Sequence, residues 1–276
     1  MLTVTFLNQK GGVGKTSSCH HLAGTLALTG RRVLLVDIDP QASLTQGFFG
    51  PEATRALLPE LTFAAVLDPD LDPNPDALII PTGFDRISII RGSGRVNQFN
   101  LPPCELWAQS QYSLRELLAT IGGEYDVALL DCPPNLNLCA WSALTASDAV
   151  VVPLQAEDYG AQGIHAIQLA VRAVQGSVNP RLRLLGYLIT MFDRRFSIHI
   201  AYETILRQSY GSDVFTNQVP SSIDFKAAVA ERKPISHYKP RSAAAKAVQV
   251  VAEELLGRAA AAGLIDGPAL VERGAA

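Results

Sequence analysis

The sequence predicts an α/β fold, a mostly parallel twisted sheet with helices on both faces, and three features predict it. Leu2 to Leu7 is a short β-branched and aromatic run, followed at once by a glycine-rich loop and then by helical apolar spacing from Thr16 to Thr29. Val33 to Val36 and Val127 to Leu130 are two further apolar runs, each ending in an aspartate. With 276 residues and 48% hydrophobic content, the chain can bury one large core, and no repeat or linker divides it. Residues 1–276 are therefore read as a single domain.

The loop is the most informative element. Lys10-Gly11-Gly12-Val13-Gly14-Lys15-Thr16 follows the first strand, and its glycines let the backbone turn with amides pointing inward. Such amides, together with a helix N-terminus, cradle a polyphosphate. Lys15 is placed to reach β- and γ-phosphates, and the Thr16 hydroxyl to bind Mg²⁺. The usual spacing puts a glycine five residues ahead of the Gly-Lys pair, where this chain has Gln9. The loop is thus a variant, and it carries an additional lysine, Lys10.

The second strand ends in Asp37-Ile38-Asp39-Pro40-Gln41, and the third in Asp131-Cys132-Pro133-Pro134. Carboxylates at the carboxyl ends of parallel strands lie where open α/β sheets bind ligands. Any one of them is as readily a turn or capping residue. Three such acids beside a lysine-bearing loop point instead to a metal-assisted phosphate site, with Asp131 in the place of a Walker B carboxylate.

These motifs resemble the deviant Walker ATPases of the ParA type, a branch of the P-loop NTPases. The resemblance extends through Val151 to Glu157, Asn179 to Arg183, Thr190-Met191-Phe192-Asp193 and Val219-Pro220, nearly the whole chain. Asp-x-Asp-Pro-Gln favours the DNA-partition branch over MinD-like membrane relatives. The resemblance implies ATP and Mg²⁺ as cofactors and a weak, partner-stimulated ATPase. ATP is held by Lys10, Gly11, Gly12, Val13, Gly14, Lys15, Thr16 and Ser17, with the base near Met191, Pro220 and Ser221. Thr16, Asp37 and Asp131 attend the metal, and Asp39 orients the attacking water. Lys10 is implied to reach the ATP of a second subunit across a two-fold axis, so that ATP assembles a homodimer; Glu157 is a candidate contact to the facing nucleotide. The implied partners are nonspecific DNA and a ParB-like or other cargo adaptor, for a protein that is cytoplasmic and nucleoid-associated when ATP-bound.

Charge distribution bears on the DNA expectation. Net charge is −3, yet the segment from His165 to Lys246 holds twelve Lys or Arg against five acids, leaving −10 elsewhere. A basic patch of this kind binds phosphate backbone through counterion release, although solvated helix faces give the same count. Arg194 and Arg195 match one basic position of the family. At the other, Ser221 and Asp224 stand where the family has arginines, and Asp224 is expected to repel phosphate. Lys226, Arg232 and Lys233 are the nearest substitutes, with Lys239 and Arg241 beyond them.

Other classes find less support. Cys19, Cys104, Cys132 and Cys139 show no C-x-x-C pair and read as small buried residues, with a cluster held by Cys104 and Cys132 between two subunits as a remote option. The five histidines lack metal-ligand spacing and read as surface or satisfied core residues. Positions 51–103, interrupted by prolines at 69, 73, 75, 81, 102 and 103, read as an irregular excursion; 263–276 read as a short flexible tail too rich in Ala and Gly to anchor in a membrane. The start of the chain shows no signal-peptide pattern. The alternatives are an ATPase that positions a protein assembly or acts at a membrane, as MinD-like proteins do, and a P-loop reductase or biosynthetic enzyme.

Overall fold

Strand alternation organises the molecule. The computed structural model describes residues 1–266 apart from 72, 103–108 and 158–159. Seven strands, β1 (Leu2–Phe6), β2 (Val33–Asp37), β3 (Ile79–Pro81), β4 (Ile87–Ile90), β5 (Val127–Asp131), β6 (Ala149–Gln155) and β7 (Arg183–Thr190), form one sheet in the order β3-β4-β2-β5-β1-β6-β7. All neighbours are parallel except β3 and β4. Parallel strands need crossovers, and helices supply them on both faces, which is why the central strands are buried along their whole length.

Successive side chains point to opposite faces, so each strand feeds two cores. Leu34, Val36, Leu130 and Val152 enter one; Val4, Phe6, Leu35 and Leu129 enter the other. In the described residues the helices are α1 (Lys15–Leu28), α2 (Ser43–Phe49), α3 (Pro51–Arg55), α4 (Ala64–Leu67), α5 (Pro75–Leu78), α6 (Ser110–Thr120), α7 (Leu138–Ala146), α8 (Gly160–Ser177), α9 (Ser197–Tyr210), α10 (Ile223–Ala230), α11 (Ile235–Tyr238) and α12 (Ala243–Ala261). Residues of α6, α7 and α8 fill the first core, and those of α1, α10 and α12 the second. α12 presents Val248, Val251, Ala252 and Leu255 inward at helical spacing, as a helix packed on the sheet requires.

The proline-interrupted stretch is more ordered than its sequence suggests. It contributes β4, which pairs in parallel with β2 from Val33↔Ile87 to Val36↔Ile90, and the short antiparallel edge strand β3. Ile87-Ser88-Ile89-Ile90 is too short a run to stand out as a strand, and Pro69 lies in a turn, Pro75 at the start of α5 and Pro81 in the edge strand. Cys19, Cys132 and Cys139 are buried and unpaired; Cys104 lies outside the described residues, as does the tail from 267.

Histidines 20 and 21 depart from expectation. Both are buried on α1, against Phe48 and Phe225 respectively. His21 Nδ1 accepts the Ile235 N–H at 3.1 Å, but neither His20 nitrogen has a hydrogen-bond partner among the described residues. Burial pushes His20 down to about 4 and pushes His21 well below its ordinary range. A histidine depressed in the fold and ordinary when unfolded stabilises the native state fully above pH 6.5, and loses that contribution as pH falls toward 4. Urea unfolding of His20→Leu should therefore show a shallower decline than the parent between pH 6.5 and 4.5, by roughly 2 kcal/mol over that window. Equal slopes would show that His20 is not held neutral.

Candidate nucleotide and metal site

The sheet delivers its chemistry to one edge. β1 ends at Phe6, β2 at Asp37 and β5 at Asp131, and the register pairs Phe6 with Asp131 and Asp131 with Asp37. The loop from Leu7 to Gly14 leaves the same edge and enters α1. Gly14, with φ of 86°, occupies the left-handed region at the N-cap of α1, and a Cβ there would lie 3.5 Å from the Thr190 side chain. The glycine is thus needed for its torsion, since a Cβ would meet Thr190 only at ordinary contact distance.

Three side chains fix the loop. Asn8 Nδ2 donates to the Pro153 carbonyl at 2.7 Å while its Oδ1 accepts the Lys10 N–H at 2.9 Å. Thr190 Oγ1 lies within donating distance of the carbonyls of Val13, at 2.8 Å, and Leu154, at 3.1 Å. Gln155 Nε2 donates to Met191 Sδ and reaches the Gly12 carbonyl at 3.5 Å. The loop therefore hangs between the ends of β6 and β7. Lys15 is buried and its Nζ donates to the Lys10 carbonyl at 3.2 Å. Burial pushes its ammonium below the ordinary value, an effect that the nearby Asp131 and Asp39 carboxylates oppose.

The acids form a dense group around Lys15. Asp131 and Asp37 have no solvent exposure, and Asp39 is nearly buried. Burial pushes Asp131 well up, with the Asp37 charge adding to the effect and the Thr16 hydroxyl favouring the charged form; neither Asp131 oxygen is in hydrogen-bonding geometry with any described group. Asp37 is pushed up to about 7 by burial, against which two hydrogen bonds from Thr45 act. Its Oδ1 also lacks a partner. Asp39 Oδ1 accepts the Gln41 N–H at 2.9 Å. Three orphaned carboxylate oxygens, buried beside a hydroxyl at the head of a helix, are the donor set that a hard divalent cation takes, and such a cation would remove the cost of burying them. Thr16, Asp37 and Asp131 thus fit a Mg²⁺ ion.

A cavity of about 460 Å³ opens beside the loop. It is lined by Gly14, Ser17, Met191, Pro220, Ser221, Phe225 and Lys226 among others, which brings the expected base-binding residues together with the loop. Its walls are mainly apolar, as a planar heterocycle requires. Met191 adopts φ of 52°, an uncommon torsion for a non-glycine residue, at the turn that carries β7 into this wall.

Lys10 stands apart from this group. Its Nζ pairs with Glu157 Oε2 at 3.0 Å, with both side chains partly exposed. Glu157, a candidate contact to a facing nucleotide or a surface capping residue, is the side chain that pairs with Lys10 in this chain. The basic candidates divide similarly. Arg195 is bound by both oxygens of Asp193, and Arg232 packs over Gly50. Asp224, expected to repel phosphate, is neutralised by Lys239 at 2.7 Å. Arg194 lines a cleft of about 670 Å³ with Arg195, Pro220 and Ser221, and Lys226 lines the base cavity; neither forms an ion pair among the described residues. Lys233 is exposed beside Arg232. Thr45 and Gly92, which contact Asp37 or its partner, were missed by sequence reasoning, because nothing local marks a residue whose task is to hold another.

Comparison with known proteins agrees with this geometry. A family model described as an AAA domain matches residues 1–184. The chain is 36% identical over 255 residues to the chromosome-partitioning ATPase Soj of Thermus thermophilus, covering 92% of this chain and 95% of that one. It is 34% identical over 257 residues to the chromosome partitioning protein ParA of Caulobacter vibrioides, covering 91% and 92%. Among solved structures, cobyrinic acid a,c-diamide synthase from Mycobacterium smegmatis with a bound ATP analog and magnesium superposes with a TM-score of 0.77 at 28% identity, covering 93% and 95%.

Asp131→Asn should leave the unliganded protein at least as stable as the parent at pH 8, with a gain of about 1–3 kcal/mol in urea unfolding. The sign follows from the raised carboxyl: its charge is costly in the fold and free when unfolded. The gain should shrink as pH falls toward 4, and a net loss at pH 8 would show that the carboxylate is satisfied by the fold alone.

Proposed function

The chain belongs to the AAA-domain family of P-loop ATPases that includes Soj and ParA, and from that premise we propose that it is an ATP-hydrolysing switch that drives partition or positioning of a chromosome, plasmid or comparable cargo. Lys15 and the loop amides bind the β- and γ-phosphates, and Ser17, Met191, Pro220 and Ser221 enclose the base. Thr16, Asp131 and Asp37 hold Mg²⁺, which when bound neutralises charge on the phosphates. Asp39 orients the water in line with the bond to be broken. Phosphoryl transfer asks for positioning and charge neutralisation above all, and a rigid loop beside buried acids supplies both.

The observation that carries the switch is Lys10. Lys15 already serves the site of its own chain, whereas the Lys10 ammonium is partly exposed and, among the described residues, paired with Glu157 at the surface. Such pairs are weak, so Lys10 can leave Glu157 for the phosphates of a second subunit. ATP then assembles a homodimer, in the manner of an arginine finger supplied in trans. A dimer doubles the basic surface that carries Arg194, Arg195 and Lys226, with Arg232 and Lys233 nearby, and raises avidity for DNA without a new kind of contact. Hydrolysis, stimulated by a ParB-like adaptor, releases it.

The similarity to the Mycobacterium smegmatis synthase favours a second reading, a biosynthetic P-loop enzyme. The first reading ranks above it because the Thermus thermophilus and Caulobacter vibrioides relatives, at 36% and 34% identity, are a chromosome-partitioning ATPase and a chromosome partitioning protein. Among the described residues no helix is long and apolar enough to cross a membrane.

Light scattering should report a dimer with ATP and a monomer with ADP, and Lys10→Ala should remain monomeric in both. DNA retention should rise at least about tenfold with ATP, and its dependence on log salt should roughly double in slope. Equal retention with ATP, ADP and no nucleotide would refute the switch, and an ATP-dependent dimer of the Lys10→Ala protein would refute the contact in trans.

A further inference from the structure

Asp37 uses its two oxygens differently. Oδ2 accepts both the Thr45 N–H, at 2.7 Å, and the Thr45 hydroxyl, at 2.6 Å. The same hydroxyl accepts the Gly92 N–H at 2.7 Å. Oδ1 accepts nothing. Thr45 is fully buried and is the third residue of α2, a helix whose N-cap, Ala42, has no side chain able to cap it. Asp37 therefore satisfies one of the free amides at that helix end, and its Oδ2 is consumed in doing so.

Gly92 completes the arrangement from the other side. A Cβ on Gly92 would lie 2.6 Å from Asp37 Cγ. Its backbone is not in the left-handed region, so the need for glycine here is one of space rather than torsion. β4 carries Gly92 past the end of β2, while α2 brings Thr45 from the opposite direction. The carboxylate is clamped between them in one rotamer.

We propose that Thr45 is a positioning residue for the metal site, and that Gly92 provides the room in which it acts. By retiring Oδ2, Thr45 fixes the orientation in which Oδ1 is left free for the cation that Asp37 and Asp131 share. The proposal rests on the magnesium-dependent nucleotide binding assigned above. Partners that orient a ligating carboxylate typically govern metal affinity by about tenfold to a hundredfold.

The test titrates Mg²⁺ against binding of a fluorescent ADP, with ADP affinity in EDTA and the melting temperature read alongside. Thr45→Val removes the hydroxyl at constant shape and should raise half-saturating Mg²⁺ about tenfold, leaving ADP affinity in EDTA unchanged. Thr45→Ser should restore it to within about twofold, since the hydroxyl alone is at issue. Gly92→Ala should displace the carboxylate with the hydroxyl intact and raise the Mg²⁺ requirement likewise, which keeps the test open if Thr45→Val does not fold. An unchanged Mg²⁺ requirement in Thr45→Val, or a Thr45→Ser protein as impaired as Thr45→Val, overturns the proposal. A parent protein whose ADP affinity ignores Mg²⁺ overturns the magnesium reading itself, and that outcome is visible before any variant is compared.

Discussion

Two fully buried carboxylates on adjacent strands set the terms for the rest of the structure. Asp37 and Asp131 are register partners at the carboxyl ends of β2 and β5, with no solvent exposure. Like charges this close in a low-dielectric edge raise one another's cost, and the partly compensating ammonium of Lys15 is itself penalised by burial. Such an arrangement is costly to the empty fold and is the kind that a bound ligand offsets. The loop, the helix that follows it and the clamp on Asp37 are best understood as the apparatus that keeps these groups in place until a phosphate and a cation arrive.

That apparatus explains why the loop can do without the usual first glycine. Gln9 occupies that position, but the turn is anchored to distant strands, by Asn8 donating to the Pro153 carbonyl of β6 and by Thr190 of β7 against Val13. Gly12 and Gly14 retain the left-handed torsions that a side chain would strain. The deviation is therefore local in sequence and compensated by residues more than a hundred positions away.

Most of the fold was legible because it depends on local pattern. β1, β2 and β5 were apolar runs of sufficient length, α1 announced itself through the loop, and the three acids were visible as strand-terminal residues. β4 was not legible, since Ile87 to Ile90 is brief and its neighbours are turn formers. The pairings within the site were illegible for a different reason. Thr45 meets Asp37 only because α2 folds back on β2, and Gly92 meets it only because β4 joins the sheet. Glu157 and Lys10 are likewise joined by β1–β6 pairing. Sequence exposes which groups carry chemistry, whereas their orientation is a property of tertiary contacts.

The same distinction separates the ATP site from the proposed DNA surface. In the site, every acid is buried and three oxygens are left without partners, so the geometry selects its ligand by what it lacks. On the surface the order is reversed. Asp193 engages Arg195 and Lys239 engages Asp224, so that part of the local charge is spent within the chain. Exposed pairs of this kind are worth little each and exchange readily with another anion, because a phosphate backbone offers charge at comparable distance and releases its counterions in return. An excess of +7 over the segment thus need not be displayed as free cations to act on DNA. It needs only surface pairs weaker than the contacts that replace them, and a dimer that presents two such surfaces at once makes that exchange easier.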